Sequence, residues 1–349
     1  MYYRSAPVFL FFLSFSLLSC ADSESILTVE GRLTRLQHFE IKLEDYDSEP
    51  YQRQRATFTS EGIALINDDD YYDDKAILYS VLTGKEVRTL KVARSIGAIT
   101  SSNDSKYVGI AYYYGSSKYA VSVLDMEAGK ELYSALLTDA PHISALAFNA
   151  DKTKLALATS NGVTLWDISG TKVTKTTIGQ TNQFYPITSL EFSSTEDTIL
   201  SSPPMYWSVS AMKVVERFVD GRGSFEAAHF LQDKTQVIAA GSHGLTLFSL
   251  GGKEPIGRIT DYNLDQDPSD PSTSRIEIVS MDVSRDGKRI ATGDNEGNVQ
   301  VWDATNGKLI ALDSTSARYI MAVTFSPFDS SILASTGTNG EVIVWRIEE

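Results

Sequence analysis

Cysteine is almost missing from this chain: Cys20 is the only one in 349 residues. A lone cysteine closes no intramolecular disulfide. Histidine is scarce too. His38, His142, His229 and His243 lie far apart, and none forms a metal-binding pair with a neighbour in sequence. Bases fall short of acids, 31 against 45, for a formal charge of −14. That deficit argues against phosphate-backbone binding, which needs clustered Lys and Arg, and against adsorption to anionic lipid. Long apolar runs are lacking as well. The longest, Val8 to Leu18, is broken by Ser14 and Ser16. It falls short of the roughly 20 helical residues that cross a bilayer. There is no nucleophile elbow, phosphate loop or cysteine–histidine pair.

What is present is a period. Short apolar strands end in Tyr79, Leu124, Trp166, Trp207, Phe248, Trp302 and Trp345, spaced 45, 42, 41, 41, 54 and 43 residues apart. A repeat in the low forties marks a β-propeller with one four-stranded blade per repeat, because no blade buries its faces alone. Hydrophobic content of 42% with 10% aromatics supplies an extended core. The expected fold is therefore all-β, seven blades of four antiparallel strands, with residues 26–349 as one domain. Those seven side chains are its blade anchors.

Residues 279–308 give the clearest repeat. Met281-Asp282-Val283 runs into the turn Ser284-Arg285-Asp286-Gly287, and Arg289 to Thr292 forms the next strand. Glu296-Gly297 turns again into Val299-Gln300-Val301-Trp302-Asp303, and Asn306-Gly307-Lys308 leads to the fourth strand. Strand, turn, strand, turn at these lengths is an antiparallel meander. These residues closely resemble the WD-repeat family, including the Trp302-Asp303 dipeptide. Blade three repeats the plan at Phe148, Asp151 and Trp166-Asp167. Blade four repeats it at Phe192, Asp197 and Trp207, blade five at Phe230, Asp233 and Phe248, and blade seven at Phe325, Asp329 and Trp345. Blades one and two are the most degenerate. The family's Gly-His pair before the first strand is mostly missing, so its histidine-centred hydrogen-bond network is not expected here. Glu349 follows a third strand directly. The alternating segment Ile26–Leu33 is thus expected to supply the fourth strand of the last blade and remove its free edge.

The first residues form the second signal. Arg4 precedes the apolar run, which closes on Leu17-Leu18-Ser19-Cys20. This is the layout of a secretory signal core, and its end resembles the bacterial lipoprotein cleavage box. The resemblance implies removal of residues 1–19, acylation of Cys20, a short tether over 20–25, and attachment to the cell envelope. Ordinary secretion with cleavage nearby is the alternative. Ala21 stands where an aspartate would signal inner-membrane retention. In a Gram-negative cell the expected location is the outer membrane, facing the periplasm.

Departures from the repeat concentrate at one end of the blades. Between second and third strands lie Asp68, Asp69, Asp70, Tyr71, Tyr72, Asp73 and Asp74 in blade one, Tyr112 to Lys118 in blade two, and Ser201 to Tyr206 in blade four. The insertion over 261–274 adds Tyr262, Asp265 and Asp267 to the same end. Tyrosine offers a large stiff contact area with a polar tip, which suits an interface. The candidate interaction face therefore comprises the residues of the acidic stretch together with Tyr113, Tyr114, Met205, Tyr206, Tyr262, Asp265 and Asp267. Solvated loops, or calcium at Asp68 to Asp74, are the alternatives, though calcium needs six to eight converging oxygens. The expected function is a non-enzymatic scaffold for an unidentified protein partner. It would meet the membrane through its lipid anchor only and bind no nucleic acid, metal or cofactor. Two other readings stay open. The Gly-Lys turns at Lys85, Lys130 and Lys308 are similar to those of quinoprotein-type propellers, which include an assembly-machinery lipoprotein with eight blades, and Tyr133 is the nearest match to that family's tryptophan. The other reading is a hydrolase or lactonase, which would require carboxylates and a histidine converging on the central channel.

Overall fold

The computed structural model of the chain describes residues 31–40, 55–59, 62–66, 75–79, 83, 85–91, 96–115, 118–137, 142–159, 162–170, 173–180, 187–193, 197–219, 225–231, 235–252, 254–260 and 276–348. The described structure is all β. In chain order β1 (Arg32–Glu40) comes first, then β2 (Arg55–Thr59), β3 (Gly62–Ile66), β4 (Lys75–Tyr79) and β5 (Glu86–Lys91). Next come β6 (Ile96–Ser101), β7 (Tyr107–Gly115), β8 (Lys118–Asp125) and β9 (Lys130–Leu137), followed by β10 (Ile143–Phe148), β11 (Lys154–Thr159), β12 (Gly162–Asp167) and β13 (Thr174–Gln180). A third such run is β14 (Ser189–Phe192), β15 (Thr198–Ser202), β16 (Met205–Ser208) and β17 (Lys213–Arg217), and a fourth is β18 (Phe225–Phe230), β19 (Gln236–Gly241), β20 (Gly244–Ser249) and β21 (Pro255–Thr260). The last are β22 (Ile278–Val283), β23 (Arg289–Asp294), β24 (Asn298–Asp303), β25 (Leu309–Ser314), β26 (Ile320–Phe325), β27 (Ile332–Gly337) and β28 (Glu341–Glu348).

Among the described residues these strands pair into seven four-stranded sheets. Six are meanders in sequence order, and the seventh runs β1-β28-β27-β26. Residue patterns explain the order within a sheet. Middle strands such as β11, β12, β19 and β20 are apolar on both faces and buried along nearly their whole length. Fourth strands alternate, as in β17, where Lys213, Val215 and Arg217 are exposed and Val214 and Glu216 are partly covered. Burial is thus greatest in the middle strands and least in the fourth. The first strands touch in sequence order, β2 on β6, β6 on β10, β10 on β14, β14 on β18, β18 on β22 and β22 on β26, and β26 touches β2.

The core lies between sheets. Ala145, Val163 and Leu165 of one sheet pack with Ile199, Met205 and Trp207 of the next. Ile238, Leu245 and Leu247 meet Met281, Ile290 and Trp302, and Phe58 of β2 packs on Ala334, Val342 and Val344 of the last sheet. Tight turns join the middle strands where expected. At Gly297 φ is +89°, and a Cβ there would stand 2.0 Å from the Ala317 carbonyl oxygen, so only glycine fits.

Three expectations need correction. The strand on β28 is Arg32–Glu40 rather than Ile26–Leu33; residues 26–30 lie outside those described. Hydrophobic alternation did not select it, since among its described side chains only Leu33 is buried. Polar anchors hold it: the Arg35 guanidinium lies 5.1 Å from the Trp345 ring centre and donates to Ser314 O at 2.7 Å, while His38 Nε2 stands 3.0 Å from Glu341 Oε1. In blade two the stretch read as a loop is strand instead. β7 runs to Gly115 and β8 starts at Lys118, because Tyr112 tucks in and meets Ser122 Oγ at 3.2 Å. In blade four the stretch read as elaborated is a tight turn, with Ser201 paired to Met205.

Candidate interaction face and channel wall

In an antiparallel meander the turns joining first to second and third to fourth strands share one end of the sheet. The turns between second and third strands, and the links to the next sheet, share the other. The stretch 67–74 joins β3 to β4, and 261–277 joins β21 to β22, so both belong to the second end. Asp68, Asp69, Asp70, Tyr71, Tyr72, Asp73, Asp74, Tyr262, Asp265 and Asp267 all lie outside the described residues. Of the remaining face candidates, Met205 is 1% exposed and belongs to the core, because the tight turn folds it onto Trp207's layer. Tyr206 is partly buried and meets Phe230 edge-on at 6.4 Å. Met205 is a correction. Tyr113 is at this end, partly buried, stacked edge-on to Tyr119 at 5.4 Å, which in turn meets His142 at 5.7 Å. Tyr114 lies in β7, with its side chain outside those described.

The opposite end carries a repeated turn. Ser102 Oγ donates to Asp104 Oδ1 at 2.7 Å and accepts from Tyr107 N at 3.0 Å. Ser284 does the same for Asp286 and Arg289 N, and Asn149 for Asp151 and Lys154 N. Third-to-fourth turns use Asp167 with Ser169 and Asp303 with Thr305. Hydrogen bonds from Thr153, Ser169 and Ser331 hold Asp151, Asp167 and Asp329 below the ordinary carboxylate range. For Asp104, Asp286 and Asp303 burial works the other way, and the turn hydrogen bonds outweigh it. Asp104 also accepts from Lys152 Nζ of the next sheet at 2.6 Å, and its pKa falls to about 2.

The channel wall holds what sequence reasoning missed. At or next to the end of each first strand stands Phe58, Ser101, Phe148, Phe192, Phe230, Val283 or Phe325, and the residue before it is Thr57, Thr100, Ala147, Glu191, His229, Asp282 or Thr324. Four of these side chains, Thr57, Glu191, His229 and Asp282, reach to the next sheet. Glu191 Oε2 accepts Phe230 N at 2.9 Å and stands 3.3 Å from His229 Nδ1. His229 Nε2 lies 3.2 Å from Met281 O, and Asp282 Oδ2 accepts Phe325 N at 2.7 Å. Thr57 meets Ser101 Oγ at 2.8 Å. Both nitrogens of His229 therefore face acceptors, which suits the doubly protonated ring. Burial opposes that charge, but the bond and charge of Glu191 outweigh it and raise the His229 pKa. Burial raises Asp282. Aligning the repeats on the final Phe would have put Thr57, Ala147, Glu191, His229 and Thr324 in one column, but not Thr100 and Asp282, which precede Ser101 and Val283.

Carboxylates and a histidine thus do converge on the inner strands, with Glu191 Oε2, both ring nitrogens of His229 and Asp282 Oδ2 engaged between sheets. Among the described residues no group of three or more His, Cys, Asp or Glu is placed to hold a metal ion. A surface cleft lined by Leu132, Tyr133, Ser169 and Gly170 offers a hydroxyl already used, since Tyr133 Oη donates to Gly170 O at 3.0 Å. No described helix is long and apolar enough to cross a membrane.

Of the anchors, Trp166, Trp207, Phe248, Trp302 and Trp345 are at most 4% exposed, and Leu124 is partly buried; the Tyr79 side chain lies outside those described. The indole N–H of Trp207, Trp302 and Trp345 reaches Ser201, Thr292 and Ser335. None of the curated proteins matches this chain. The family model for the WD domain, G-beta repeat, matches residues 271–303, and that match together with the four-stranded antiparallel sheets fits a WD-repeat β-propeller.

Proposed function

We propose that the chain is a seven-bladed WD-repeat propeller, tethered to the bacterial envelope by lipid on Cys20, that serves as a non-enzymatic platform for a protein partner. The closed succession of first-strand contacts supports one ring, and the family match supports a scaffold, the usual role of WD-repeat propellers. One observation carries the choice of surface. The two stretches that break the repeat, 67–74 and 261–277, join strand ends on the same end of the sheets, and their composition is acidic and tyrosine-rich. The opposite end is occupied by turns whose aspartates accept hydroxyl and backbone N–H groups of their own turn. The channel histidine and carboxylates act as stitching between blades, which speaks against a hydrolase there.

The test is affinity purification from gently solubilised native membranes. The wild type is compared with a variant in which Asp68, Asp69, Asp70, Asp73 and Asp74 are serine. A partner recovered only with the wild type is the expected result; recovery with both would move the interface elsewhere. In parallel, Cys20→Ser is expected to release the protein from the membrane fraction, and unchanged retention without acyl mass would end the tether.

A further inference from the structure

The chain enters the fold at a defined point. Gly31 N donates to Ile310 O at 2.8 Å, and Arg32 pairs with Glu348. A side chain at Gly31 would begin 2.8 Å from Glu348 O and 3.1 Å from Ile310 O, so the entry is closely packed. Ile310 follows a third-to-fourth turn and Glu348 ends a third strand, which places the entry at the aspartate-turn end, opposite the acidic stretches.

In the last sheet, whose outer strand is β1, the turn between β26 and β27 holds Phe328 out at 64% exposure, the largest value among the exposed large hydrophobics described. The turn is braced by its neighbours rather than collapsed. Arg285 Nη1 donates to Pro327 O at 3.0 Å, Arg289 Nη1 to Ser330 O at 3.3 Å, and Phe328 N to Ser326 Oγ at 3.2 Å. The same end of the last two sheets carries exposed Arg32, Arg285, Lys288, Lys308 and Arg346. Its acids are Asp286, Asp303 and Asp329, which accept turn hydrogen bonds, and Glu348. An outward aromatic among arginines and lysines matches the interfacial zone of a bilayer, where rings sit at headgroup depth and cations meet lipid phosphates.

The geometry points to this corner as a membrane-docking surface: Phe328 enters the headgroup layer of an anionic bilayer while Arg285 and its basic neighbours meet the phosphates. The inference rests on the lipid-anchor reading, because residues 20–31 reach at most about 40 Å even fully extended, which keeps the entry end near the anchoring surface. It departs from the expectation that the lipid is the sole membrane contact. Net charge argued against adsorption, but the acidic stretches belong to the other end. Docking this way also turns them toward the aqueous phase, where a partner meets them.

The experiment uses the full chain purified from its host, with acyl status read from intact mass. Phe328→Trp is compared with Glu296→Trp, an exposed position at the opposite end. Both are placed in phosphatidylethanolamine–phosphatidylglycerol vesicles whose acyl chains are brominated close to the headgroup, and the wild-type emission is subtracted. The expected result is loss of most of the added fluorescence at 328 and little loss at 296. Acyl mass present with equal or no quenching at the two positions overturns the docking and leaves the anchor standing. Quenching at 328 without acyl mass supports the docking and ends the anchor. Neither quenching nor acyl mass overturns both.

Discussion

Ser335, Thr292 and Ser201 accept the indole N–H of Trp345, Trp302 and Trp207 at 2.8, 3.1 and 2.9 Å. Each hydroxyl stands two residues past the tryptophan's cross-strand partner: Leu333, Ile290 and Ile199. Where the anchor is Phe248, with no N–H, that place holds Ala239. Trp166 breaks the rule. Its partner is Leu155, the place two on is Leu157, and its buried N–H finds no partner among the described residues. A buried donor stripped of its acceptor costs about 1–3 kcal/mol. Ser335→Ala is therefore expected to destabilise the protein by about that amount, whereas Trp166→Phe, which removes an N–H already unpartnered, costs less. Denaturant midpoints for the two variants decide it, and a Ser335→Ala midpoint equal to wild type would remove the hydroxyl from the account. The anchors were legible because a large ring at a fixed period stands out in any sequence. The hydroxyls were not, since a serine or threonine in a strand carries no signal until the register names its partner. Met205 was misplaced for the same reason: Pro203-Pro204 reads as loop, and only the pairing of Ser201 with Met205 turns the side chain inward.

Turns and first strands carry the charges that should govern behaviour with pH. The six turn aspartates have folded pKa values below the ordinary 3.8, so the stability they contribute is present above about pH 4 and lost as pH falls, Asp104 being last at about 2. Asp282, lifted by burial, opposes them, but it is one group against six. His229 behaves in the opposite sense. Its folded pKa is raised above 6.5, so its contribution is complete below pH 6.5 and disappears as pH rises through the folded value. Thermal melts should show a plateau with a fall on either side. Glu191→Gln keeps an acceptor for Phe230 N–H but takes away the charge that holds the imidazolium. The alkaline fall should flatten in that variant while the acid fall stays; an alkaline limb identical to wild type would detach it from His229. The aspartate turns are local, since an Asp two residues from a Ser, Thr or Asn marks each of them in the sequence. The channel column carries no such mark, because Thr, Ala, Glu, His and Asp share a position rather than a residue type.

Whether the blades act as one body turns on a single strand. An array of sheets that touch only their neighbours frays from its ends, with stability set by nearest-neighbour terms. Here β26 packs on β2 as well as on β22, Phe58 joins the last sheet's core, and β1 covers the edge that β28 would otherwise expose. Such a closed set leaves no end from which to fray, so the protein should unfold in one cooperative transition. Deleting residues 32–40 alone, with Cys20 and everything else retained, takes away the backbone pairing of β28, the Arg35–Trp345 stacking and the burial of Leu33. Leu33 by itself accounts for about 1.5–3 kcal/mol. The expected outcome is an earlier and broader calorimetric transition, together with association through the bared edge in light scattering. Leu36→Asp, on the same strand but already exposed, serves as the control and should leave the transition sharp. A deletion variant that melted as sharply as wild type would mean that the last sheet is complete with three strands, and that β1 lies against the fold without closing it.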